Sequence, residues 1–86
     1  MVQPYEIVLY PFVTEKTMSH LETQNKLEFV VKRSATKLDI KEAVESLFDV
    51  KVDKVNTMIL KDGKHAVVKL TKDFSAEDVG MRIGIF

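Results

Sequence analysis

Cations gather around residues 32–41, where they can bind an anion. Lys32 and Arg33 lie just before a predicted helix start, and Lys37 and Lys41 form an i,i+4 pair on one flank of that helix. Free backbone amides at a helix start, together with nearby cations, suit a phosphate group. A solvated helix start that binds nothing explains the same residues, so this segment alone leaves both interpretations open.

A second group of cations lies on a predicted β-hairpin. Asp62-Gly63 is a strong hairpin signal, because both central residues of a type I′ turn need positive φ. A two-residue loop there pairs Lys61 with Lys64, and like charges directly opposite each other destabilise a hairpin unless solvent or an anion screens them. Edge lysines also prevent sheet aggregation, which is the alternative reason for their presence.

Catalytic and metal-binding patterns are weak. His20 and His65 have no companion at ligand spacing, and the chain contains no cysteine. The acids Asp73, Glu77 and Asp78 fall at a predicted helix start, where the helix dipole explains them. No glycine-rich phosphate loop and no Gly-x-Ser-x-Gly motif occurs. We therefore predict no catalytic residue, no metal and no cofactor.

Charge is distributed unevenly along a chain whose 86 residues have no net charge. Residues 26–41 contain five cations and two acids, and residues 50–72 contain six cations and two acids. Residues 1–25, 42–49 and 73–86 are all net acidic. A whole-protein electrostatic argument for nucleic acid therefore fails, and any such argument depends on these two basic segments.

Length and composition predict one soluble domain, residues 1–86. The hydrophobic fraction of 45% and the charged fraction of 30% are ordinary for a globular protein. No apolar run approaches the roughly 18 residues of a membrane span. The first four residues lack the basic start and apolar core of a signal peptide, so we expect a cytoplasmic protein.

Hydrophobic periodicity predicts the elements that position the cations. Alternation over Lys26–Val31 is typical of a strand, and Ile40, Ala43, Val44, Leu47 and Phe48 form one apolar stripe of a helix over 36–48 capped by Thr36. The other predicted elements are a short strand over Glu6–Tyr10 ended by Pro11, a helix from Thr14 to about Glu22, a hairpin from Val50 to Leu70 with a bulge at Asp53-Lys54, and a short C-terminal helix capped by Ser75.

The hairpin register assigns side chains to two faces. We expect one face to cover the main helix, and it carries Val55, Thr57, Ile59, Ala66, Val68 and Leu70. We expect the other to be only partly covered, and it carries Asn56, Met58, Leu60, His65, Val67 and Lys69. The one aromatic residue of these strands, Phe29, lies in the buried register, so base stacking is not the expected mode of RNA recognition.

Several blocks, in this order and spacing, resemble the large-subunit ribosomal protein L-twenty-three family in its short archaeal form. The matching blocks are Pro11–Lys16, Asn25–Val31, Ala35–Lys37, Ile40–Lys41, Ala43–Glu45, Phe48, Val50–Val52, Val55–Thr57, Lys64–Thr71 and Arg82–Phe86. Together they cover nearly the whole chain. The resemblance implies an α+β fold in which helices pack on a four-stranded antiparallel sheet, a ferredoxin-like variant of order β-α-β-α-β-β.

The resemblance also implies a function without catalysis. The protein would be a structural constituent of the large ribosomal subunit, binding 23S-type rRNA near the exit of the nascent-peptide tunnel. The implied rRNA contacts are Lys16, Asn25, Lys26, Lys37, Asn56, Thr57, Lys61, Lys64 and Lys69, to which the basic flank of the main helix adds Lys41. Glu15 would help dock nascent-chain factors such as the signal recognition particle. Implied neighbours are ribosomal proteins at the tunnel exit, such as L-twenty-nine.

Two departures from the family pattern affect this expectation. His65 stands where the family usually has a second lysine or arginine, so we expect a weaker contact there at neutral pH. The hairpin also lacks the long basic loop that bacterial members send into the tunnel. The alternative function is a ferredoxin-like regulatory or dimerising domain that uses the half-apolar hairpin face. An acylphosphatase-like enzyme fits less well, because Arg33 is not in a glycine-rich loop.

Overall fold

The computed structural model describes residues 3–85, so Phe86 and the first two residues of the predicted N-terminus lie outside the described residues. The elements, in chain order, are α1 (Pro4–Ile7), β1 (Val8–Pro11), α2 (Glu15–Gln24), β2 (Lys26–Val31), α3 (Lys37–Phe48), β3 (Val52–Leu60), β4 (Gly63–Leu70) and α4 (Ala76–Ile83). This confirms the α+β class and the predicted order of elements, to which the structure adds α1.

The four strands form one antiparallel sheet of order β1-β2-β4-β3. Because β4 is antiparallel to both of its neighbours, β2 and β3 run parallel to each other on either side of it. The connection through α3 therefore passes over β4 and leaves α3 packed against the sheet. The prediction of a four-stranded antiparallel sheet with helices packed on it is confirmed.

The N-terminal segment differs from its predicted strand. Pro4 starts a single helical turn, and the Gln3 backbone amide donates to the Glu6 carboxylate at 3.0 Å. Pro is favoured at the first helical position because its fixed φ suits a helix and its missing amide hydrogen would be unpaired there. Residues Glu6 and Ile7 are therefore helical, and the strand begins only at Val8.

The three longer helices begin where their caps were predicted. The hydroxyls of Thr14, Thr36 and Ser75 each accept a hydrogen bond from a backbone amide three residues further on. In α3 the cap is reciprocal, since the Asp39 carboxylate accepts from the Thr36 amide at 2.9 Å. These contacts satisfy amides that have no partner inside the helix.

The core lies between the helices and one face of the sheet. Leu27, Phe29 and Val31 of β2 belong to this cluster, and the Phe29 ring stacks on Phe48 of α3 at 5.7 Å between centroids. Residues of α3 and α4 complete it, with Ile40, Val44 and Val79 fully buried. The predicted stripe of α3 is wrong at Leu47, which is 39% exposed, because the last turn contacts the sheet through Phe48.

The hairpin turn is displaced from its predicted position. Lys61 and Asp62 form the turn, Leu60 pairs with Gly63, and Lys64 lies opposite Ile59 and not opposite Lys61. Neither turn residue has positive φ, so the type I′ turn is wrong, and the positive φ of 135° falls on Gly63. The pairing shifts by two positions, which leaves each side chain on its predicted face because the side-chain period of a strand is two.

Burial of the hairpin follows most of the predicted faces. Val55, Ala66, Val68 and Leu70 are buried against the helices as expected, but Ile59 is 55% exposed near the end of its strand. The predicted bulge is confirmed, since the register of β3 shifts between Val52 and Lys54. At the C-terminus Ile83 and Ile85 pack against the core. Among residues 3–85 the helices are all too short or too polar to span a membrane.

We expect Gly63→Ala to destabilise the fold by about 1–2 kcal/mol, because a side chain at a φ of 135° is strained. Steric contact does not explain this loss, since an added Cβ would lie 3.9 Å from the nearest atom of Val30. Urea denaturation of the two proteins measures the difference. An unchanged unfolding midpoint would show that the backbone at residue 63 relaxes without penalty.

Candidate nucleic-acid interface

One face of the sheet lies opposite the helix-packed core and is only partly covered, and we call it the open face. Cross-strand pairing assigns its side chains, and Val30 on it stays outside the core cluster. Its central residues are Lys26, Glu28 and Val30 of β2, His65, Val67 and Lys69 of β4, and Lys54, Asn56 and Met58 of β3. The prediction that this face is only partly covered by the chain is confirmed, since four of the nine are exposed.

Three lysines form a row across the open face. Lys69 of β4 pairs with Lys26 of β2 on one side and with Lys54 of β3 on the other. Neighbouring strands lie about 4.8 Å apart, so the row places three like charges side by side. Within residues 3–85 the only carboxylates in ion-pair contact are those beside His65, so no carboxylate pairs with these lysines.

Lys54 belongs to this row but was absent from the sequence-predicted site. Regular pairing after Val52–Leu70 would have placed Asp53 opposite Lys69. The bulge inserts one residue, so Lys54 takes that position and Asp53 does not. The predicted bulge at Asp53-Lys54 was the signal that could have identified this lysine. The bulge thus exchanges an acid for a cation on the open face.

His65 sits beyond the lysine row, near the hairpin turn, and is completely buried. Its Nδ1 lies 2.8 Å from Glu28 Oε2, its Nε2 lies 2.8 Å from Asp62 Oδ1, and the Phe12 ring meets it edge-on at 4.6 Å. The expectation of a weakened contact through His65 is therefore wrong, because its ring is buried and faces two carboxylates and not solvent. Sequence spacing gave no sign of this, since Glu28 is 37 residues away.

The pKa of His65 reflects opposing effects. Burial disfavours the charged ring, but the hydrogen bonds to Asp62 and Glu28 outweigh it and raise the pKa of His65 above the ordinary value. The same hydrogen bond lowers the pKa of Asp62. Both shifts favour a charged imidazolium between two carboxylates. The two acids of this part of the open face are thus partly neutralised from within the protein.

Asn25 has a structural role that the sequence did not indicate. Its backbone has φ 56° at the end of α2, a conformation that asparagine tolerates well. Its side-chain Nδ2 donates to Phe74 O at 2.9 Å and, at longer range, to Leu70 O and Thr71 O, while its Oδ1 accepts from the Ala76 amide at 2.7 Å. These bonds join the start of β2 to the start of α4, so the side chain is committed to the fold.

The other predicted contacts lie on several surfaces of the protein. Asn56 is exposed on the open face, whereas Thr57 and Lys64 point to the helix side. Lys64 Nζ donates to Ala35 O at 2.6 Å just before α3. Glu15 and Lys16 lie at the start of α2, Lys37 and Lys41 lie on α3, and Lys61 lies in the turn.

At the start of α3, two of the amides that could bind an anion already have partners. Thr36 and Asp39 cap each other there, and the hydrogen bond from the Thr36 amide lowers the pKa of Asp39, favouring its charged form. A bound phosphate would meet this carboxylate. The solvated helix start is therefore the better interpretation. In the part of the chain that the structure describes, no group of three acidic, histidine or cysteine side chains is placed to hold a metal.

A helix-backed antiparallel sheet with a partly covered, lysine-bearing face defines a class of small α+β domains. The family model for ribosomal protein L23 matches residues 6–78. A large ribosomal subunit protein uL23 from Picrophilus torridus is 57% identical over 81 residues, covering 94% of this chain and 99% of the relative. The protein of the same name from Methanothermobacter thermautotrophicus is 45% identical over 86 residues, covering 99% and 100%.

A third relative of that name, from Thermoplasma acidophilum, is 48% identical over 81 residues, covering 94% of this chain and 96% of its own. The chain belongs to the ribosomal protein L23 family. The family consists of structural proteins of the ribosome, so the chain is not an enzyme. The resemblance noted in the sequence is confirmed.

Asn25 and Asn56 offer a matched test of the structural assignment. We expect Asn25→Ala to lower the free energy of unfolding by about 2–4 kcal/mol, because it strains the backbone and leaves partly buried polar groups unpaired. Asn56→Ala, at an exposed position, should change it by less than about 0.5 kcal/mol. Urea denaturation measures both. Equal small losses would mean that the Asn25 bonds contribute little.

Proposed function

We propose that the chain is a structural component of the large ribosomal subunit in the cytoplasm and that it binds 23S-type rRNA through the open face. The row of Lys26, Lys69 and Lys54 carries this proposal. Adjacent lysines without carboxylate partners repel one another in the free protein. A polyanion turns that unfavourable arrangement into a favourable one.

The chemistry of the open face favours recognition of the RNA backbone. Lysines neutralise phosphates, and the exposed Asn56 amide donates to sugar or phosphate oxygens. β2, β3 and β4 place no Phe, Tyr or Trp side chain on the open face, and the half-exposed aromatic side chain there is Tyr10 of the edge strand β1, opposite Val30. The lysine-bearing centre of the face therefore offers no platform for base stacking. Such a surface recognises the shape of a folded RNA and is sensitive to salt.

The neutral net charge is compatible with this role. Acids at the backs of α3 and α4 lie on the helix side of the sheet. Of the acids near the open face, Glu28 and Asp62 are paired with His65. The lysine row therefore acts on a local potential that the net charge of the chain does not describe.

The roles of the predicted contacts outside the lysine row are also part of the proposal. Glu15 and Lys16 are exposed in the first turn of α2, where Glu15 is available to nascent-chain factors such as the signal recognition particle. Lys37, Lys41, Lys61 and Lys64 would meet other RNA segments or neighbours such as L-twenty-nine at the tunnel exit. β3 and β4 are joined by a tight turn, so the hairpin offers no extended loop to line the tunnel.

A dimerising domain is the second candidate, favoured by three apolar side chains at the end of the edge strand β3. Met58, Ile59 and Leu60 are 38%, 55% and 44% exposed. Sedimentation of the purified chain separates the candidates. A tight dimer that ignores rRNA would favour this alternative over the ribosomal role.

The lysine row can be tested with a charge-matched pair of triple variants. We expect Lys26→Gln, Lys54→Gln and Lys69→Gln together to weaken binding to a large-subunit rRNA transcript at least about tenfold and to lower the salt slope of log K by about 3. Lys32→Gln, Lys37→Gln and Lys41→Gln together remove the same charge from the helix side. Titrations at several salt concentrations measure both.

The helix-side variant should keep most of the affinity and salt slope. Equal losses of affinity in both variants would mean that the interaction depends only on net charge. A larger loss in the helix-side variant would place the interface over α3. Either result would overturn the assignment to the open face. Circular dichroism of both proteins establishes that they remain folded.

A further inference from the structure

The cluster formed by Glu28, His65 and Asp62 has a geometry that depends on one proton. Both ring nitrogens of His65 lie 2.8 Å from a carboxylate oxygen. A neutral imidazole has one N–H and can donate to only one of them, which leaves a lone pair facing a carboxylate at the other. The observed arrangement is satisfied only when the cluster holds an additional proton, whichever of the three groups carries it.

The cluster adds side-chain contacts between parts of the chain that the sheet also pairs. Glu28 lies on β2, His65 on β4 and Asp62 in the turn that ends the hairpin. The other residues placed beside the ring are uncharged, namely Phe12 from the segment after β1, Val30 opposite it on β2 and Met58 opposite it on β3. The two carboxylates are therefore the charged groups in contact with His65.

We propose that Glu28, His65 and Asp62 form a proton-dependent clasp, which fixes the hairpin turn on the sheet and sets the charge of the open face. The RNA half of this inference rests on the proposed function. Loss of the proton changes the charge of the cluster from −1 to −2. His65 precedes Lys69 by four residues on the same strand face, about 13 Å away, so the added negative charge acts near the lysine row.

The sign of the pH dependence follows from the direction of the shifts. Because the pKa of His65 is raised, its contribution to stability is complete below about pH 6.5, the ordinary value, and is lost as the pH rises through the folded-state value. The pKa of Asp62 is lowered, so its contribution is complete above the ordinary value of 3.8 and is lost as the pH falls through the folded-state value. The clasp therefore stabilises the fold between these two pH limits, and this stabilisation is lost on the alkaline side.

The test uses the full chain, its two histidines and a large-subunit rRNA transcript. NMR titration of the imidazole carbons measures His65 directly in the unaltered protein, with His20→Gln assigning the two signals. Urea denaturation and RNA affinity are then measured from pH 5.5 to 8.5 at one ionic strength for the unaltered chain, His65→Gln and the control His20→Gln.

We expect His65 to stay charged beyond pH 6.5 and the stability of the unaltered chain to fall as it titrates. RNA affinity should fall about threefold or more over the same interval. His20→Gln should keep both dependences, and His65→Gln should lose them. If His65→Gln fails to fold, the NMR titration and the stability curve of the unaltered chain still test whether the clasp depends on the proton.

The failures of the two proposals are distinguishable. A His65 ring that is already neutral at pH 6.5, or stability that does not change with its titration, would overturn the clasp. RNA affinity that is high but constant with pH would overturn the link to the open face and leave rRNA binding intact. Absence of RNA binding at every pH, with a normal His65 titration, would overturn the proposed function and leave the clasp standing.

Discussion

Burial of one face of the sheet under the helices is the constraint on which the rest of the structure depends. Leu27, Phe29 and Val31 on β2 meet α3 and the neighbouring helices in one apolar cluster. A chain of this length buries only about 60–65% of its unfolded surface, and its helices suffice for one face of four strands. The second face carries polar groups and its own side-chain cluster, and it remains available to a partner.

That open face is organised by charge. The bulge in β3 places Lys54 in line with Lys69 and Lys26, and His65 holds the two nearby acids. Each lysine pair in the row is mildly unfavourable in the free protein, so the arrangement sacrifices some stability for the binding of anions. The fold is stabilised elsewhere, by helix caps, by the Phe29–Phe48 stack and by the bonds of Asn25.

The sequence predicted correctly those structural features that depend on neighbouring residues in the chain. Thr14, Thr36 and Ser75 cap helices through amides three residues away, and strand and helix periods are visible within a few residues. The predicted type I′ turn is wrong because the Asp62-Gly63 dipeptide is also compatible with a turn one residue earlier. In that turn only the glycine has positive φ.

The candidate site was predicted less completely, because its geometry depends on distant residues. Asn25 is bonded to residues 45–51 positions further along the chain, and its place before a predicted strand did not indicate these bonds. His65 is buried by groups that the tertiary fold brings together, namely Phe12 and Glu28. The row itself appears only when the register across three strands is known, which no single segment specifies.

Lysine reactivity provides the most direct measurement of whether the open face meets rRNA. The free chain and the chain bound to large-subunit rRNA are acetylated briefly, and the modified positions are quantified by mass spectrometry. We expect Lys26, Lys54 and Lys69 to become protected on binding while Lys37 and Lys41 on α3 stay reactive. Protection of the α3 lysines with a fully reactive row would show that rRNA binds elsewhere than the open face.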